Sequence, residues 1–298
     1  WSKVTLTDPP QLPREVLREL KKGIDGTFRE FSRGYGEAIE NFFHPLLMFL
    51  KWFQDLLIET PWPLILVILG ALSWWGSRSW KMVVGTVLAF LFIGWLDMWE
   101  DTMATLAIVS VATLLCIAIG IPIGILMARS DRVQAMILPV LDIMQTIPSF
   151  VYLIPVVMLL GIGKVPGLLA VMIYAIPPIV RLTNLGIRLV DKEVLEAADA
   201  FGSSYRQKLF QVQIPLALPN IFAGVNQTIM MALSMVVIAA MIGVPGLGVP
   251  VLRAVSNQYL ALGVMNGLAI VAIAIIFDRV SQAFGKRLQK HREGEHGA

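Results

Sequence analysis

An all-α membrane fold is predicted by three properties of this sequence. Charge is scarce, since only 15% of the 298 residues are Asp, Glu, Lys or Arg, against about 25% in soluble domains. Apolar residues dominate, at 56% with a mean hydropathy of +0.72. They are also gathered into uncharged runs at 60–77, 82–96, 102–128, 143–163, 165–180, 209–252 and 254–277, and about 20 such residues cross a bilayer as a helix. Backbone groups in lipid are satisfied only by helices or closed barrels, and the runs lack the in-out alternation of barrel strands. The balance of 24 Lys+Arg against 21 Asp+Glu, net +3, is too slight for a nucleic-acid binder. A single cysteine, Cys116, excludes an intramolecular disulfide and a Cys-cluster metal site. Three histidines leave little for a His-based zinc site.

Taken in order, residues 1–60 form a tail of separate character. From Pro13 to Glu40 it reads as charged, partly helical and solvated. Over 45–59, Leu46, Leu47, Phe49, Leu50, Phe53, Leu56 and Leu57 are interrupted by Lys51, Gln54 and Asp55, which suits a helix lying in the membrane interface. No cleavable signal pattern is visible. A transmembrane domain is expected over 61–280. Runs 60–77 and 82–96 are short, and their flanking tryptophans, among them Trp62, Trp74, Trp80 and Trp95, suit headgroup level. Runs 102–128, 143–163 and 254–277 are long enough to span unaided. Run 165–180 continues in apolar residues past Arg181 to Ile187. The 44-residue run 209–252 is too long for one span and is interrupted by Gly243, Pro245, Gly246, Gly248 and Pro250, so a helix near 216–242 is followed by a non-helical turn. The expected total is about seven spans, with a basic C-terminal tail at 281–298.

Loop charge sets the expected orientation. Arg78/Lys81, Arg129/Arg132 and the cluster Arg188, Lys192, Arg206 and Lys208 fall between alternate pairs of spans, with more Lys and Arg in the tail. The positive-inside rule makes this set cytoplasmic, with the C-terminus inside and the N-terminus outside. Eight Lys/Arg within residues 1–60 argue the other way, but nine Asp/Glu accompany them and the rule weakens for segments of that length.

Between spans five and six, residues 191–215 change composition. Asp191 can cap a helix whose apolar face is Val194, Ala197, Ala198 and Phe201, and Gly202 is placed to end it. Ser204-Tyr205-Arg206-Gln207 is a capping-box pattern leading into Leu209 and Phe210, and Pro215 marks return to the membrane. On composition alone, an amphipathic loop lying on the membrane fits equally well.

The spacing within this segment carries a resemblance. Glu196-Ala197-Ala198, three residues, Gly202, nine residues, then Val212-Gln213-Ile214-Pro215 resembles the EAA loop of ABC importer permeases, departing from it only in Val212 and Ile214, where Ile and Leu are usual. Gln145-Thr146-Ile147-Pro148-Ser149, Gly161-Ile162-Gly163-Lys164 and the stretch from Tyr174 to Arg181 are similar to the osmoprotectant branch, which handles glycine betaine, proline betaine, choline and related quaternary amines. The likeness covers about residues 60–280.

The resemblance implies a type I ABC importer permease: a polytopic all-α bundle with a cytoplasmic coupling helix, in a bacterial inner membrane. It also implies partners, namely a second copy of the permease in a homodimer, two cytoplasmic ATPase subunits, and a periplasmic or extracellular substrate-binding protein. Glu196, Ala197, Ala198, Gly202, Ser204, Tyr205, Phe210 and Pro215 would then belong to the ATPase-coupling loop. No cofactor is expected on this chain. Gly163-Lys164-Val165 and Gly285-Lys286-Arg287 lack the Ser/Thr and upstream glycine of a phosphate loop, so ATP and Mg would be bound by the partner ATPase and the permease itself would catalyse nothing.

Pathway residues are less legible. Phe150, Tyr152 and Tyr174 could face a quaternary ammonium or simply pack. Asp142 could attract a cation, or pair with Arg181 or cap a backbone. Gln145 and Asn226 could line a path or hydrogen-bond between helices. The Gly/Pro segment 243–250 reads as a plain loop or as an outer re-entrant turn where the binding protein docks. The alternatives to an osmolyte importer are a permease for another small solute such as an amino acid, and a self-sufficient secondary transporter or channel. The latter needs internal repeats and mid-membrane carboxylates, and Asp142 is the only acidic candidate.

Overall fold

The structure, a computed structural model, describes residues 12–295, with side chains through residue 285. Those residues form α1 (Arg14–Glu59), α2 (Trp62–Ser77), α3 (Trp80–Trp95), α4 (Trp99–Arg129), α5 (Asp131–Thr146), α6 (Leu153–Leu160), α7 (Lys164–Arg188), α8 (Lys192–Ala200), α9 (Tyr205–Gln207), α10 (Ile214–Ala239), α11 (Gly248–Asn257) and α12 (Leu260–Glu295). No strand occurs among the described residues.

The centre of the bundle is α7, packed on α4 along one side and α10 along the other. Close approach is set by small residues, the device that brings helices together where lipid supplies no hydrophobic drive. A Cβ on Gly124 would lie 2.6 Å from Thr183 Cβ and 2.8 Å from the Val180 carbonyl oxygen, and one on Gly120 would lie 2.4 Å from Ile179 Cγ2. On the other side Gly186 faces Asn220 and Ala217, and Gly224 faces Ile179. Met103, Cys116, Leu168, Ile179, Leu233 and Met235 fill this core. On one flank α12 packs against α10 and carries the α2–α3 hairpin; on the other, α1 lies against α4 and α6.

Several expectations need correction. The tail is a single 46-residue helix, α1, continuous rather than partly helical, with its charged first half exposed. Its charges sit on one side of a continuous helical period, and Pro45 is absorbed within it. Phe43 and Leu47 pack against Val156, Val165 and Leu169, Leu50 is in the main core, and Ser32 Oγ donates to the Met158 carbonyl at 2.8 Å. Residues 1–11 and 296–298 lie outside the described residues, and the expected separate tail at 281–298 is, through Glu295, the continuation of α12.

Run 143–163 is not a straight span. The chain bends by 109° at residues 147–148, between α5 and a second arm made of a short 3₁₀ turn, Ser149–Tyr152, and α6. Pro148 is the cause: its ring disfavours the helical region for the residue before it, and Ile147 is extended at φ −65°, ψ 131°. Four helical stretches among the described residues are long and apolar enough to cross a membrane: 99–129, 164–188, 205–242 and 260–285. Counting α1 with α2, and α5 with α6, as broken spans gives six. The 16-residue α3 is apolar but shorter.

The Gly/Pro segment folds back on the bundle. Val244 and Leu247 are buried, the Leu247 N–H donates to Thr105 Oγ1 at 2.9 Å, and Gly246, at φ +126°, lies where a Cβ would be 2.5 Å from that oxygen. Helix α11 then packs on α12.

The glycine contacts yield a direct test. Gly124→Val must push α4 from α7, an overpacking cost of about 1–3 kcal/mol, and should lower the thermal midpoint of the detergent-solubilised protein. Gly85→Val, where a Cβ meets nothing within 4 Å, should leave it unchanged.

Candidate functional site

Two regions carry polar chemistry: a knob at one end of the bundle and a helix break within it. The knob begins where Asp191 accepts the Glu193 N–H at 2.9 Å, capping α8 as expected. Gly202, at φ +75°, closes that helix, and the Ser203 N–H reaches back to the Ala198 carbonyl at 3.0 Å. The predicted capping box is present: the Gln207 N–H donates to Ser204 Oγ at 3.4 Å and the Ser204 N–H to Gln207 Oε1 at 2.8 Å. The second short helix does not stand apart from the membrane, however. From Tyr205 the helical path runs through a π-helical turn, Lys208–Gln213, directly into α10. Pro215 accounts for this, since it has no N–H and its ring crowds the preceding turn, and a π bulge widens the ladder there.

The knob is apolar on its outside and braced beneath. Phe201 is 91% exposed and Phe210 62%; Tyr205, Glu196 and Ala197 are also exposed, and Ala198 is half-buried. Beneath them, Lys208 Nζ bonds both carboxylate oxygens of Asp199 at 2.6 and 2.8 Å. Arg129, the last residue of α4, donates to the Tyr205 hydroxyl and places its guanidinium 4.2 Å from the same ring's centroid. Arg188, at the end of α7, donates to Asn184 Oδ1 at 3.1 Å and the Met127 carbonyl at 2.9 Å, and pairs with Asp131 at 2.7 Å. Knob, α4, α5 and α7 are therefore tied at one end of the bundle. Composition marked Arg129 and Arg188 only as orientation charges; their binding roles depend on tertiary proximity.

At the break, Gln145, Thr146, Pro148 and Phe150 are exposed. Tyr152 is buried: its hydroxyl donates to the Met144 carbonyl and its ring meets Tyr174 edge-on, 6.4 Å between centroids. The two tyrosines brace the bend and form no open cage. Asp142, one turn before Gln145, pairs with Arg181 of α7 at 2.5 Å. Asn226 lies away from this group; its Nδ2 donates to Asp278 Oδ1 at 2.7 Å, tying α10 to α12. Gln282 Nε2 donates to the same oxygen at 2.7 Å. The uncharged run 254–277 stops just before Asp278, so a charge count places that carboxylate outside the span, whereas the helix continues through it. Among the described residues no cluster of His, Cys, Asp and Glu could hold a metal.

A helical membrane bundle with a polar break inside and a motif-bearing knob at one end is a transport permease. The chain belongs to the family described as binding-protein-dependent transport system inner membrane component, whose model matches residues 120–290; it is a multi-pass inner-membrane protein. It is 50% identical over 242 residues to the glycine betaine/proline betaine transport system permease protein ProW of Escherichia coli (strain K12), covering 81% of this chain and 68% of that one. It is 44% identical over 281 residues to the glycine betaine/carnitine transport permease protein GbuB of Listeria monocytogenes serotype 1/2a (strain 10403S), covering 93% and 98%. Its fold matches a chain from a structure of the MetNI methionine ABC transporter in inward-facing conformations, with a TM-score of 0.58 at 18% identity over 66% of this chain and 97% of that one.

The Arg188 node can be dissected. Asp131 is 89% exposed, so its ion pair contributes little, and Asp131→Ala should be nearly silent in a thermal melt. The bonds from Arg188 to the carbonyl and the amide are charge-assisted and only about a third exposed. Arg188→Ala should cost about 1–2 kcal/mol and lower the midpoint measurably, with Arg188→Lys recovering part of the loss.

Proposed function

We propose that this chain is the membrane-spanning subunit of an ATP-driven importer for quaternary-amine osmolytes of the glycine betaine class, the solutes named for the relatives above. Two copies enclose the path, two ATPase subunits dock on the knob from the cytoplasm, and a binding protein delivers cargo from the other face. The N-terminus is then outside and the C-terminus inside. The turn 243–248 and α11 lie on the outer face, where the binding protein docks.

The observation that carries this reading is the knob. Phe201, Tyr205 and Phe210 are exposed around a charge-locked turn, and exposed aromatics clustered in this way suit a partner's cleft. Closure of the ATPases pushes α8 and α9. Because α9 continues into α10, and Tyr205 is held by Arg129, the push reaches α10 and the end of α4 together. Helices shift as rigid units, so the movement is carried past the Arg188 node into α5, whose far end is the break. Glu196, Ala197 and Ala198 form the face that seats against the ATPase, Gly202 supplies the left-handed turn between the two helices, and Ser204 caps the second one.

The break is the proposed pathway wall, with Asp142, Gln145 and Phe150 exposed along it and Tyr152 and Tyr174 behind. Non-helical backbone at membrane depth is tolerated only inside protein or against water. By contrast, the residues of α12 exposed between 260 and 275 are Leu260, Ala261, Val264, Met265, Leu268, Val271 and Ile275, an apolar surface suited to lipid.

Three measurements test the reading. Vesicles holding the chain, its ATPase and its binding protein should take up glycine betaine only with ATP, whereas uptake by the chain alone would sink the importer assignment. Gly202→Val places a β-branched residue at φ +75°, a strain of about 1–2 kcal/mol confined to the turn, so insertion should persist while ATP-coupled uptake falls several-fold; full uptake would remove the turn from the lever. Gln145→Cys should react with a water-borne thiol reagent in permeabilised vesicles while Leu88→Cys and Val271→Cys stay inert. Equal reactivity at all three would contradict a water-lined break.

A further inference from the structure

The Asp142–Arg181 pair has features that a structural strut does not explain. Its depth follows from helical rise. Arg188 and Asp131 touch and fix a common level. Asp142 lies eleven residues along α5 from Asp131, and Arg181 seven residues along α7 from Arg188, so the pair sits about 10–16 Å into the bundle. That is well within a hydrocarbon layer of about 30 Å. Yet the side chains of Arg181 and Asp142 are 31% and 62% exposed. Charges at such depth face a bundle interior or a water-filled cavity rather than lipid, so the open side of this pair lies where the path of the osmolyte reading would run. The contact is also incomplete: Arg181 gives Asp142 one hydrogen bond, through Nη2, and its Nε is buried without a partner. A guanidinium fork matches a carboxylate with two parallel bonds, and here that capacity is half used.

Resting on the osmolyte reading above, we propose that Asp142 and Arg181 form a transit site for zwitterionic cargo, in which the carboxylate meets the cargo's quaternary ammonium and the guanidinium meets the cargo's carboxylate. A wet ion pair is worth little, so parting it for cargo that restores both charge contacts is nearly neutral. Cargo is recognised and is not trapped. A solute carrying one charge restores only one of the two contacts given up when the pair parts, and so is held less well. An uncharged solute has nothing to exchange. The site therefore selects for opposite charges on one small molecule, whichever headgroup bears the positive one.

Gln145, one turn beyond Asp142, is the reporter. The chain's own cysteine, Cys116, is fully buried, so the background is silent. In the assembled transporter, glycine betaine should slow modification of Gln145→Cys by N-ethylmaleimide, about threefold at twice its dissociation constant by mass action. Tetramethylammonium and acetate, singly at the same concentration, should protect far less. Adding Asp142→Asn or Arg181→Gln should abolish protection, and Arg181→Lys, which keeps the charge, should retain part of it. Protection is read in each variant as the ratio of its own rates with and without glycine betaine, because a neighbouring charge also alters thiol reactivity. Equal protection by either single ion, or protection that survives both neutral variants, overturns the site. Modification with no protection overturns the site and leaves the water-lined path standing. No modification at all overturns both.

Discussion

A peptide group in hydrocarbon has nothing to bond with except its own helix, and this molecule breaks a helix inside the bundle. Pro148 forces Ile147 out of the helical region, the chain bends by 109°, and the residues on both sides of the bend are exposed. That combination is stable in a membrane only if the open side meets water or another protein surface rather than lipid. The rest of the architecture serves the requirement. Helices α4, α7 and α10 pack through glycines tightly enough to act as one wall, the Tyr152–Tyr174 contact holds the bend from behind, and the lipid-facing helices carry apolar stripes with no comparable polar group.

The same wall explains how a push at one end can be felt at the other. A loop joined to a span by a flexible linker would dissipate displacement. Here the helical path from Tyr205 into α10 is unbroken, and the one irregular turn, Lys208–Gln213, is a widened helix and not a hinge. Arg129 ties Tyr205 to the end of α4, and Arg188 ties the end of α7 to the same place through the Met127 carbonyl. The Arg129 contact combines a hydrogen bond with a cation over a ring, so it constrains both the position and the tilt of Tyr205. The knob is thus fixed to the ends of three helices, α4, α7 and α10.

What the sequence made legible was local. Asp191, Gly202 and the Ser204–Gln207 box announce their roles within a few residues, and the structure forms each of them. Long uncharged runs likewise located α4, α7, α10 and most of α12. The misreadings share a cause: charge was used as a boundary marker. Charged residues in 13–40 concealed a helix whose period continues unbroken from Arg14 to Glu59, and the absence of charge in 143–163 concealed the break at Pro148. Asp278 looked like the end of a span because it is an aspartate. The ties made by Arg129 and Arg188 were beyond reach for a different reason, since each joins residues far apart in the chain, brought together only by the packing of α4, α7 and α10.

Asp142 and Asp278 show how environment separates two residues of one type. Both project from helices of the bundle, and both have a partner on an adjacent helix. Asp278 is held by two neutral amides, on Asn226 and Gln282, which keep their hydrogen bonds only if the carboxylate stays in place. Removing it would leave the Asn226 amide orphaned beside its own buried, unpartnered Oδ1, so this contact behaves as a fastening between α10 and α12. Asp142 instead meets a cation directly, through a single hydrogen bond to a guanidinium with capacity to spare. That arrangement can open and re-form at small cost, and reversibility is what a passage needs and a fastening must avoid. The helix breaks one turn beyond Asp142 and leaves its side open, whereas the helix runs unbroken through Asp278 and lets the amides there work as glue.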